Sequence, residues 1–198
     1  MGAHRWLCFA AAFSYCGALA QSTASSAPLA QQNYFELKVG GGQTPTPFLG
    51  DSDKRVNGEV GLAFAKTERH LRIRHTEGMI YQEAYYEHSS SHGGSGYIGT
   101  APSQYEAFGY LYGFRYAEPK GIYSIYEDVG LGLQYNTHRT NDLPSRLNTT
   151  PYLGFGIIIP NRENPAFIGI RLLHSSNGGT VGANGGQNQL FLEFGIKL

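Results

Sequence analysis

From residue 33 to the C-terminus, apolar and polar positions alternate with a period of two, and the alternation breaks at intervals that mark out eight segments. Successive side chains of a β-strand point to opposite faces, so each segment is expected to be a strand with one apolar and one polar or small face. Residues 33–39 set Phe35, Leu37 and Val39 against Tyr34, Glu36 and Lys38. Residues 58–65 set Val60, Leu62 and Phe64 against Gly61, Ala63 and Ala65. The charged stretch 66–69 is expected as a tight turn, and a third run, taken as one strand, covers 70–87. Residues 105–116 present Phe108, Tyr110, Tyr112, Phe114 and Tyr116 on one side, with Gly109, Gly113 and Arg115 opposite. In 122–135, Tyr123, Ile125, Val129, Leu131, Leu133 and Tyr135 share a face that also carries Glu127, which the pattern alone does not explain. Leu153, Phe155, Ile157 and Ile159 mark a sixth strand, 166–176 a seventh and 188–198 the last.

The breaks alternate in length. Long ones, rich in Gly, Ser, Asn or Pro, follow the first, third, fifth and seventh strands, and short turns follow the second, fourth and sixth. That rhythm predicts an all-β fold, an eight-stranded antiparallel transmembrane up-and-down β-barrel with both termini at the short-turn end. Closure leaves no unpaired strand edge in lipid, and small residues opposite the apolar face suit a narrow, filled interior.

Composition sharpens this picture. Residues 1–20 carry Arg5 near the front, an apolar run from Trp6 and a small-x-small end at Ala18-Leu19-Ala20. They are expected to be a signal peptide, leaving 21–198 as one barrel domain. Both cysteines, Cys8 and Cys16, fall in the leader, so the mature chain has no thiol for a disulfide, a metal or a nucleophile. Lys and Arg number 15, equal to Asp and Glu, which gives no reason to expect a nucleic-acid partner. No apolar run in 21–198 is long enough for a membrane helix. Together these features predict a Gram-negative outer-membrane location.

One stretch departs from ordinary barrel polarity. In 168–176, Ile168, Ile170 and Leu172 share a parity that His174 and Ser176 continue, and Asn188 joins the corresponding parity of the last strand. Alone, a His-x-Ser pair at a strand end is ordinary interfacial polarity. In a barrel the apolar parity faces lipid, so imidazole and hydroxyl lie side by side on the outer wall at the outer-leaflet edge. A nucleophile and its base need that proximity, and the place suits chemistry on a lipid. His70, His75, His88 and His92, with Glu83 and Glu87, match no zinc-binding spacing, so no metal or other cofactor is expected.

His174-Ser175-Ser176-Asn177-Gly178, followed by Asn184 and Gly186 and preceded by the strand 168–173, resembles the outer-membrane lipid A 3-O-deacylases, the PagL-like group of acyloxyacyl hydrolases. The resemblance implies a serine esterase that hydrolyses the 3-position acyl ester of lipid A in lipopolysaccharide. It implies Ser176 as nucleophile and His174 as base, with Asn177, Gly178 and Asn184 shaping the oxyanion hole. In the family a Glu orients the His, whereas this chain has Asn188. Asn188 can still orient an imidazole but brings no charge, and Asp142 and Glu127 stand as alternative acids. The competing expectation is a non-catalytic structural or adhesion barrel that has lost the acid. A homodimer is left open.

Overall fold

The computed structural model describes residues 33–44, 54–73, 76–91, 104–140, 142–160, 164–180 and 186–198; the leader expected at 1–20 and Asn184 lie outside these. Nine strand segments run as β1 (Tyr34–Thr44), β2 (Arg55–Ile73), β3 (Thr76–Ser91), β4 (Gln104–Pro119), β5 (Ser124–Asn136), β6 (Leu147–Thr149), β7 (Tyr152–Ile159), β8 (Ala166–Ser175) and β9 (Gln187–Lys197). All pairings are antiparallel. Contacts of β1 with β9 and of β4 with β5 close the sheet into a ring.

The ring has eight staves because β6 and β7 are one strand. Opposite β5 they keep a single register, with Leu133 facing Thr149 and Gly130 facing Tyr152. Opposite β8 the register is also continuous, with Thr149 facing Ser176 and Tyr152 facing Leu173. The interruption is chemical. His174 N–H donates to Pro151 O at 2.9 Å, and proline has no N–H with which to return the bond.

Two local expectations need correction. Residues 66–69 are not a turn: β2 continues through them to Ile73, so 70–73 belong to β2 and the third strand starts only at Thr76, not at residue 70. A charged, Thr-containing run resembles a turn, but it still pairs with β3 up to Glu68, and the register shift before Arg72 absorbs the irregularity. The third long connection, which the pattern leaves open between residue 135 and Leu153, is shorter and ends before Leu147, where pairing with Tyr135 resumes.

Face assignment follows the alternation. On β8, Ile170 is 50% exposed whereas Arg171 is 1% exposed, and Phe35, Leu62, Leu131, Phe155 and Leu192 share the outer apolar surface. The lumen is packed. The Arg115 guanidinium makes two 2.7 Å hydrogen bonds to Asp128 and one of 2.6 Å to Glu36, lying between the rings of Tyr81 and Tyr126. Lys38 Nζ lies 3.1 Å from Glu83 and 2.9 Å from Glu193. Arg171 donates to Glu59 and, at 3.0 Å, to Glu83, with its Nε 2.9 Å from Glu193. Glycines on the inner face make room for rings: a Cβ at Gly109 would stand 2.1 Å from the Tyr85 ring. Among the described residues the interior at these levels is thus filled by ion pairs and tyrosines, as suits a barrel this narrow.

The strand ends joined by the long connections (45–54, 92–103, 137–146 and 176–186) lie at one end of the barrel, and those joined by the short ones (74–75, 120–123 and 160–165) at the other. Long loops of such barrels face outside the cell. Epitope tags inserted near Gly94, Asn141 or Gly182 are therefore expected to be reached by antibody on intact cells, and a tag near Pro119 only after permeabilisation. Surface labelling of the Pro119 tag would invert the barrel.

Candidate active site

β8 rises to the long-loop end and carries His174 outward, next to Leu172 and Ile170 on the apolar face. Its neighbours across the sheet are Asn188 on β9 and Pro151 before β7. His174 and Asn188 sit directly opposite in the β8–β9 register, which brings Nδ1 and Asn188 Oδ1 to 2.7 Å. An amide oxygen only accepts, so Nδ1 carries the proton and donates. Nε2 is then the basic nitrogen, as a general base requires.

Ser176 lies one pleat beyond His174 on the same face, locked by two main-chain bonds to Thr149 of 2.7 and 3.1 Å, and is 6% exposed. Among the described residues no hydrogen bond joins its hydroxyl to the imidazole. Nucleophile–base contacts in unliganded sites are commonly long and tighten when substrate binds. Between the two, Ser175 turns into the lumen and donates to Gln134 Oε1 at 3.3 Å. Gln187, beside Asn188, accepts from Tyr105 OH at 2.8 Å. Lumenal hydrogen bonds therefore pin the inward neighbours of the outward-facing groups.

The chain after Ser176 makes a tight turn. Gly178 and Gly179 have φ of +62° and +78°, a conformation side chains resist, and Thr180 N–H donates to Asn177 O at 3.2 Å. Asn177 Oδ1 accepts the Gly179 N–H at 2.8 Å, so this oxygen serves the turn. Gly178 is exposed beside it.

Neither alternative acid reaches the imidazole. Glu127 faces Phe155 on β7, which faces Ile170 on β8, four residues and roughly 13 Å along the strand below His174. Asp142 is buried, accepts from Thr140 Oγ1 at 2.6 Å and lies 3.7 Å from Arg55. Glu193 faces the lumen with Lys38 and Arg171. Asn188 is thus the described side chain that meets Nδ1. Two contacts leave no local sign in the sequence: Pro151 opposite His174, and the 2.8 Å bond from the Gly186 N–H to Asp142 O. Both arise from pairings distant in sequence.

Residues 69–197 match the family described as lipid A 3-O-deacylase (PagL). The chain belongs to that family. Among solved structures, the outer membrane enzyme PagL superposes with a TM-score of 0.67 at 17% identity, covering 82% of this chain and 99% of that one. Neisserial surface protein A superposes with a TM-score of 0.53 at 11% identity, covering 84% and 96%. At these identities the likeness is one of fold, a closed outer-membrane barrel. No curated protein matches the sequence. As a PagL-family barrel the chain resides in the outer membrane, in a family of hydrolases acting on lipid A. Neither the family match nor the fold argues for a dimer.

Proposed function

We propose that this barrel is a serine esterase that removes the 3-position acyl chain of lipid A from the outer leaflet. The supporting observation is the 2.7 Å contact between His174 Nδ1 and Asn188 Oδ1, on the lipid face, one pleat from Ser176. His174 Nε2 takes the Ser176 proton as Oγ attacks the ester carbonyl carbon, and the imidazolium returns it to the departing sugar oxygen. Water, deprotonated by His174, then attacks the acyl-serine and releases the fatty acid. The Gly178 N–H, with Asn177 shaping its turn and Asn184 nearby in sequence, supplies the oxyanion donors. Val129, Leu153, Leu172 and Leu190 form one cross-strand row on the outer face below the site and receive the acyl chain. Residues 1–20 serve as the export leader.

Asn188 fixes the productive tautomer but leaves the imidazolium without a counter-charge. A hydrogen bond to a charged partner exceeds a neutral one by about 1–2 kcal/mol. Asn188→Glu is therefore expected to raise kcat about 5- to 30-fold on lipid A in mixed micelles, and the low-pH limb of the rate profile should move to higher pH because a carboxylate favours imidazolium. Unchanged or lower turnover, with Ser176 intact, would count against the triad. The alternative, a barrel that keeps the outline without the chemistry, draws on the amide at 188; it predicts no Ser176-dependent turnover in either form.

A further inference from the structure

Gly186 stands where the long connection returns to β9, at φ +72°. A Cβ there would lie 2.8 Å from His174 Cε1 and 3.3 Å from Nε2, so any side chain would press on the edge of the ring that carries the basic nitrogen. Its backbone is held from elsewhere in the chain, by the 2.8 Å bond from its N–H to Asp142 O. Asp142 belongs to the 137–146 connection, which folds into the barrel mouth. Thr140 N–H donates to Leu143 O at 3.0 Å, Thr140 Oγ1 donates to Asp142 Oδ1 at 2.6 Å, and Leu143 is fully buried. Arg55, at the long-loop end of β2, lies 3.7 Å from the Asp142 carboxylate. A path of contacts thus runs from the far wall of the barrel to the edge of the imidazole.

We propose that Asp142 and Gly186 form a positioning clamp for the base, which holds the Nε2 edge of His174 open and aimed toward Ser176. Asp142 acts through its main-chain carbonyl, not as the triad acid, and its carboxylate keeps that carbonyl in place. Asn188 grips Nδ1 from one side, and Gly186 bounds the opposite edge. In a site whose orienting group is a neutral amide, this second constraint limits how far the ring swings about χ2. The clamp's role in turnover rests on the esterase reading, but its effect on the ring does not.

The test uses the full barrel in lipid nanodiscs, with ¹⁵N-imidazole NMR of His174, assigned by loss of signal in His174→Gln, and turnover measured alongside. The wild type should show one tautomer, protonated at Nδ1. Gly186→Ala should convert it to a mixture and lower kcat about 100-fold, as a misplacement on the order of 1 Å does, with KM changed less than about threefold. Asp142→Asn retains the main-chain carbonyl and an acceptor for Thr140 but loses the pairing with Arg55. It should shift both readouts in the same direction by less, and it decides the question if Gly186→Ala fails to fold. Glu127→Gln, on the lipid face toward the short-turn end, should change neither. An unchanged tautomer in both Gly186→Ala and Asp142→Asn overturns the clamp, as does an equal shift in Glu127→Gln. Absence of Ser176-dependent turnover in the wild type overturns the esterase reading instead, and the imidazole spectrum still decides the clamp.

Discussion

Ser176→Ala is expected to lower ester hydrolysis by on the order of 10⁴- to 10⁶-fold in kcat while leaving the barrel intact. Removing the nucleophile from serine hydrolases leaves only the contribution of substrate binding and oxyanion donors. The lower end of the range applies because the neutral amide at Asn188 already reduces the starting rate. Stability should hardly change, since the bonds that fix Ser176 are main-chain bonds to Thr149 and the hydroxyl has no hydrogen bond to the imidazole among the described residues. Fatty-acid release gives the first quantity, and the mobility difference between unheated and boiled protein on a gel gives the second. Retained turnover with a folded barrel would remove Ser176 from the mechanism.

The second large effect is on stability. Arg171 is buried among Glu59, Glu83 and Glu193, and Lys38 is the other cation that meets Glu83 and Glu193. Arg171→Met keeps the bulk but removes the charge, leaving these three buried carboxylates with the Lys38 ammonium. Removing one partner of a buried ionic cluster costs about 3–5 kcal/mol, because the remaining charge is left uncompensated. Urea unfolding in detergent, followed by tryptic sensitivity or gel mobility, should show a loss of that size. Adding Glu59→Gln should recover part of it by removing one of the stranded charges. A loss under about 1 kcal/mol would mean that water or protonation already compensates the cluster.

The sequence made the barrel legible because a lipid-facing wall imposes a strict rule on every second residue. Phe108, Tyr110 and Tyr112, or Val129, Leu131 and Leu133, leave little choice of face. The same rule exposed His174 and Ser176 as polar exceptions on the apolar parity, and Arg171, on the opposite parity, lies inside among the ion pairs. The rule weakens beyond the bilayer. At 66–69 charged residues continue β2 in water, where composition no longer separates strand from turn. At Pro151 a residue that ordinarily ends a strand merely leaves one ladder bond unmade. The supports of the site were hidden for a different reason. Asn188 is visible as the partner of His174 because hairpin parity is local, whereas the Asp142–Gly186 bond links two separate connections and has no periodic signature.

The mass of lipid A extracted from Gram-negative cells expressing the chain tests the central claim most directly. If the barrel is a lipid A 3-O-deacylase, the spectrum should gain a species lighter by one hydroxyacyl group replaced by a free hydroxyl, and the released fatty acid should come from the 3-position. That species should be missing from cells expressing Ser176→Ala at the same surface level. An unchanged lipid A profile from wild-type and Asn188→Glu barrels, both folded in the outer membrane, would contradict the account.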